Sequence, residues 1–182
     1  MIKMSAETKE ILRCSSDIIK SSGMQTEKSC VQHGDVSVFH HSLAVACLCV
    51  FFADYLCLNV DRRSLIRGAL LHDYFLYDWH VKDGAHRLHG FTHAGCALKN
   101  AERDFDLGPI ERDIIQKHMF PLNPTPPKYM ESVLVCAADK ICAVYETLFC
   151  RFSFFSRRSE RVLPGRIVKQ VTAVISSRAS YR

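Results

Sequence analysis

Ala69-Leu70-Leu71-His72-Asp73 decides how this chain is read, because an apolar run ends directly in an imidazole and a carboxylate. It contains the one His-Asp dipeptide of the sequence. Leu65, Ile66, Ala69 and Leu70 recur at three- and four-residue intervals, which predicts a helix from Arg62 to about His72 after the punctuation of Asn59 and Asp61. The pair therefore falls at a helix end, where side chains can leave the helix face and converge with others.

Four further residues have the chemistry to join them. They are His41 in Phe39-His40-His41-Ser42-Leu43, His93 in Gly90-Phe91-Thr92-His93-Ala94, His118 in Ile115-Gln116-Lys117-His118, and Asp139 in Ala137-Ala138-Asp139-Lys140. Imidazole and carboxylate suit Fe, Mn, Zn or Mg, and the set contains no Cys. If His41, His72, Asp73 and Asp139 meet, they fill four positions of an octahedral ion and leave the rest open to water and substrate. His93 and His118 would add ligands for a second ion, with the Asp73 carboxylate as a bridge. Two ions about 3.5–4 Å apart could clamp the attacking and leaving oxygens of a phosphoryl displacement. The plainer alternative is that single histidines on helices are packing residues. Asp139 sits among small apolar residues, where a carboxylate is costly unless it binds metal or pairs with a buried cation.

The bulk composition sets the frame. A chain of 182 residues with 48% hydrophobic and 24% charged content can bury one good core and is short for two domains. The net charge is +5, and Arg157, Arg158, Arg161, Arg166, Lys169, Arg178 and Arg182 all lie in the tail. The remainder is near neutral, which argues against a dedicated nucleic-acid groove while leaving the tail open to an RNA or an acidic partner. Nine cysteines occur with no CxxC pair and no apolar leader between Met1 and Lys20, so reduced thiols and a cytoplasmic location are expected. Cys47, Cys49, Cys57, Cys136, Cys142 and Cys150 lie in apolar runs and are expected to pack as small hydrophobes. Leu43 to Phe52 is wholly apolar, but Asp54 interrupts it short of the roughly 20 residues of a bilayer span. It reads as a buried helix, and no membrane partner is expected.

Elsewhere the pattern is helical throughout. A first amphipathic helix is predicted from about Ser5 to Ser22 with a stop at Gly23, then a polar turn at His33-Gly34-Asp35 and a Ser37 cap for the helix carrying His41. Tyr74 to Gly90 has no clean period and reads as an irregular cover over the site. Helices follow from about His93 to Phe105, from Pro109 to His118 with proline in the first turn, and from Lys128 to about Phe152 with Asp139 in the middle. No alternating run makes a sheet. The class is all-α: a single bundle of about six to eight helices over residues 1–152, followed by a basic extension, 153–182.

The order His41, His72-Asp73, Asp139 resembles the HD-domain superfamily of metal-dependent phosphohydrolases, over a core of about 38–146. As in that family, the first His precedes Ser-Leu and an Ala-containing helix, which favours His41 over His40. His93 and His118 stand where two-metal members place two more histidines. The resemblance implies an HD-type helical domain holding one or two divalent ions and hydrolysing a phosphate ester or phosphoanhydride through metal-activated water. It leaves open a metal-binding regulatory or RNA- and partner-binding module without turnover. The chain departs from the cyclic-dinucleotide branch, since Lys117-His118-Met119-Phe120-Pro121 replaces its His-His and Gly-Tyr-Pro elements. It also has Leu76 where many members carry a lysine three residues after the pair. Asp78, His80, Lys82 and His89 are then candidates to protonate the leaving group, with Asp73 and Asp78 the catalytic pair favoured. Lys82, Arg87, His89 and Lys117 are the expected phosphate contacts, and a small phosphorylated molecule such as a nucleotide is the expected substrate. Tyr74, Phe75, Tyr77 and Trp79 could stack on a base, although aromatics at this density more often serve packing.

Overall fold

The computed structural model describes residues 6–33, 36–78 and 89–149, and eight helices and one small hairpin occur among them. Residues 153–182, the expected basic extension, lie outside the described residues, as do Trp79, His80, Lys82, Arg87 and Cys150. The core of the bundle is helix α4 (Val38–Tyr55), which packs against α5 (Arg62–Leu71) and α8 (Met130–Phe149). Helix α7 (Pro109–Lys117) lies against α5 and α8, and α6 (His89–Asp104) leans on α7.

Local chemistry starts these helices where the sequence indicates. Ser37 caps α4 by accepting from the His40 amide, and Asp61 caps α5 by accepting from the Ser64 amide. The Asp61 amide also donates to Glu131 at 2.6 Å, which ties the start of α5 to the first turn of α8. Pro109 occupies the first turn of α7, and Glu111 reaches back to the Gly108 amide. Helix α4 is apolar and long enough, by composition alone, to cross a membrane, yet 67% of it is buried within the protein. Leu43, Val45, Ala46, Cys47 and Cys49 are fully buried there, so helix packing accounts for its apolar character.

The N-terminal region departs from the single helix expected. It forms three short helices, α1 (Ala6–Cys14), α2 (Ser16–Lys20) and α3 (Ser22–Glu27). Serines make the breaks: the Ser15 hydroxyl donates to Ile11 O at 2.6 Å, and extended Ser21 caps α3 through the Met24 amide. Gly23 lies within α3 rather than stopping a helix, and its lack of a side chain makes room for the Tyr74 phenol. Instead of a bare turn, Val31–His33 (β1) and Val36–Ser37 (β2) pair antiparallel. Cys57 is exposed, in left-handed backbone just past α4 (φ 51°), and does not pack as expected.

Arg67 of α5 stitches the early helices to the bundle. Its guanidinium is 3% exposed, and it donates to Asp17 of α2 at 2.6 Å and to buried Glu111 of α7 at 2.7 Å. Removing one partner of a buried pair strands the other's charge. Arg67→Ala should lower unfolding stability by about 3–5 kcal/mol in urea titration, whereas Asp17→Ala, on the exposed arm, should cost well under half of that.

Candidate metal centre

Five elements deliver six side chains to one buried locus. His41 comes from the first turn of α4, His72 and Asp73 from the end of α5, His93 from the second turn of α6, His118 from the end of α7, and Asp139 from the middle of α8. All are at least nine-tenths buried. Helix α6 begins at His89, one turn earlier than the sequence suggests, so His93 lies inside the helix rather than opening it.

Asp73 divides the site. Its Oδ2 lies 3.4 Å from His72 Nε2 and 3.9 Å from His41 Nε2, and Asp139 Oδ1 closes the same side at 3.1 Å from His41 Nε2 and 3.6 Å from His72 Nε2. Its Oδ1 lies 3.3 Å from His93 Nε2 and 3.4 Å from His118 Nε2, and those two nitrogens are 2.9 Å apart. Two triads result, His41/His72/Asp73 and Asp73/His93/His118, each with ligand atoms within 4.8 Å of one another. His72 Nε2 and Asp73 Oδ1 are buried and make no hydrogen bond although partners stand close by. A divalent cation within each triad is what such donor sets fit, since lone pairs converging on one point repel without one.

The rings are held so that their Nε2 atoms face inward. His72 Nδ1 donates to Ala69 O and His118 Nδ1 to Ile115 O, each at 2.8 Å. His41 Nδ1 instead donates to the Glu146 carboxylate at 2.8 Å. Such contacts fix ring orientation and tautomer. His40 points its Nδ1 at Ser37 Oγ, 2.8 Å away, which separates its role from that of His41.

Electrostatics follow from burial among carboxylates. Burial alone would lower the His41 pKa, but hydrogen bonds to Asp139 and Glu146 reverse this and raise it to about 9. His72 is likewise driven well above its ordinary value, against the effect of burial, by Asp73 and Asp139. Burial would raise both aspartates, yet the surrounding histidines hold Asp73 and Asp139 below the usual carboxylate range. In His118 burial wins and the pKa falls. The pocket therefore demands positive charge, as protons or as metal.

Other expected residues fall differently. Asp78 is half-buried five positions past Asp73, and its charge reaches the Cys30 thiol. Lys117 pairs with Asp113 at 2.6 Å within α7. His89 opens α6, but its side chain, like Lys82 and Arg87, lies outside the described residues. Tyr74 and Phe75 are core residues at 0% and 2% exposure, and Tyr77 packs on Phe75, so packing accounts for these aromatics. Leu76 adopts left-handed backbone (φ 63°) and packs on the core.

Sequence reasoning missed four polar residues at the site. Glu146 lies seven positions after Asp139, two turns along the same face of α8, a spacing that could have revealed it. Lys140 donates to His118 O at 2.9 Å and so ties α8 to the end of α7. Gln32 donates to Asp73 Oδ2 at 2.6 Å from 41 residues away, and Glu27 is fully buried. Burial raises the Glu27 pKa well above the usual range, and the Asp73 charge raises it further. No local pattern announces either of these two.

The family model of the HD domain matches residues 38–144, more than half of the chain. The protein belongs to the HD-domain family. No curated protein and no solved structure matches the chain. The HD-domain match spans all six converging residues, whereas Glu27, Gln32 and Glu146 fall beyond its limits. HD domains bind divalent metals, and the two triads are groups that could hold them here.

The raised His41 pKa gives a pH signature. A protonated His41 stabilises the metal-free fold fully below pH 6.5, its unperturbed value, and that contribution disappears as pH rises through about 9. Metal-free protein should thus lose up to about 3 kcal/mol across that window in thermal melts. Saturating divalent metal should flatten the profile, because the ion replaces the proton.

Proposed function

We propose that this HD-domain protein hydrolyses a phosphate ester or phosphoanhydride of a small molecule, with nucleotides as the favoured class. In this reading His41, His72, Asp73 and Asp139 hold one divalent ion, and Asp73, His93 and His118 a second, drawn from Fe, Mn, Zn or Mg. One observation carries the reading: a single buried carboxylate presents one oxygen to each of two histidine triads. When bound, the ions would supply an acidified water and neutralise charge on the phosphoryl oxygens.

The chain's own groups do the rest. The Ala69 and Ile115 carbonyls and the Glu146 carboxylate keep three imidazoles oriented, so the ligand set is assembled before substrate arrives. Asp78 is assigned as the proton donor to the leaving oxygen. Lys82, Arg87 and His89 are assigned to the phosphate group, and Lys117 could join them only by giving up Asp113. We also place the protein in the cytoplasm, where its thiols stay reduced.

Metal-replete protein should turn over an aryl phosphate and members of a nucleotide panel, and a chelator should remove the activity. Since loss of a group that merely orients a ligand costs 10–100-fold, Asp73→Ala should reduce turnover by more than ~10²-fold. Asp78→Asn should slow alkyl or nucleoside esters while sparing p-nitrophenyl phosphate, whose leaving group needs no proton. Absence of turnover on every ester, together with tail-dependent RNA binding, would replace this reading by that of a metal-binding module.

A further inference from the structure

Gln32, from the segment before α4, reaches a candidate metal ligand through a hydrogen bond. It sits on β1, is 7% exposed, and its Nε2 donates to Asp73 Oδ2 at 2.6 Å. The geometry of the carboxylate gives that bond its meaning. Oδ2 is the oxygen on the His41/His72 side, and Oδ1, on the His93/His118 side, accepts no hydrogen bond.

A carboxylate turns about its terminal torsion with little intrinsic preference. Without an anchor, Asp73 could rotate to give both oxygens to one ion and leave the other triad with only two imidazoles. A charge-assisted bond to one oxygen fixes the plane. The placement of Gln32 also has a cost, because its Oε1 is buried with no partner. A core selected for stability alone would not favour such an arrangement. The backbone holding Gln32 is itself anchored: β1 pairs with β2, and the Val38 amide donates to Cys30 O at 2.9 Å, which joins this strand to the start of the His41 helix.

We propose that Gln32 is a positioning residue that holds the Asp73 carboxylate in its split orientation and thereby sets occupancy by two ions rather than one. The proposal rests on the two-ion reading of the site. Through Gln32 it also makes the hairpin before the HD-matched region part of the metal centre.

The test uses the full chain loaded with Mn(II), read by calorimetric stoichiometry and by electron paramagnetic resonance, which distinguishes an exchange-coupled pair from isolated ions. Gln32→Met keeps the length of the side chain and removes the donor. Wild-type protein should bind two Mn(II) with a coupled spectrum. Gln32→Met should bind the first ion, weaken the second by about 10–100-fold, the range for lost orienting partners, and show the signal of isolated Mn(II). Gln32→Asn, whose amide is too short to reach, should reproduce this and covers the case in which Gln32→Met does not fold. A variant with wild-type stoichiometry, affinity and coupled spectrum overturns the proposal alone. Wild-type protein that never shows a coupled pair overturns the two-ion reading and the proposal with it.

Discussion

Charge without solvent is the constraint around which this protein is organised. Asp73 and Asp139 are buried with His41, His72, His93 and His118, and Glu146 stands directly behind His41. Carboxylates in such surroundings must be matched by protons on the imidazoles or by a cation. Backbone polarity favours the cation. Helices α5 and α7 both end at the site, with His72 and His118 as their C-caps, so the negative ends of two helix dipoles point towards it. The same two histidines use Nδ1 to satisfy carbonyls three residues back, which would otherwise be orphans of the last turn. Termination of the helix and orientation of the imidazole are thus a single event.

The scaffold is arranged to let those two ends meet. Gly68 lies against Ile114, where an added Cβ would come within 2.4 Å of the isoleucine side chain, so α5 and α7 approach closely one turn before their caps. Arg67, next to Gly68, binds Glu111 of α7 at the same seam. Further along, Lys140 donates to the His118 carbonyl and Asp113 accepts from Ser132 at 2.7 Å, fastening α7 to α8 on either side of Asp139. The geometry of the six converging side chains is therefore inherited from helix packing, which resists small displacements.

Four of the six converging residues were legible because each carries a local signature, whereas His93 and His118 were picked out by the family resemblance. His72 and Asp73 terminate a periodic helix, Asp139 is an unexplained charge in an apolar run, and Ser37 announces the helix of His41. Helix periodicity likewise gave α4, α5, α7 and α8 to within a few residues. What stayed hidden depends on long-range contact, as with Gln32 and Asp73, or on local chemistry that periodicity does not register. The three-way break of the N-terminal helix turns on serine hydroxyls competing with the backbone, and amphipathic spacing does not register that competition. The start of α6 at His89 could not be read from a stretch rich in histidine and glycine. Cys57 looked buried by its neighbours' composition, but the left-handed turn after α4 puts it outside.

The division between ligands and their supports bears on how the site can vary. The HD-matched span 38–144 holds all six converging residues, while two groups that hydrogen-bond them, Gln32 and Glu146, enter from opposite sides of that span. Each acts on a different residue of the candidate centre. Glu146 accepts the Nδ1 proton of His41 and so makes its Nε2 more basic, whereas Gln32 donates to one oxygen of Asp73 and makes that oxygen less basic. Both act on the His41/His72/Asp139 side, and in opposite senses. The two flanks thus bear on the electrostatics of one triad while the helices that carry the six converging residues belong to the HD-matched span.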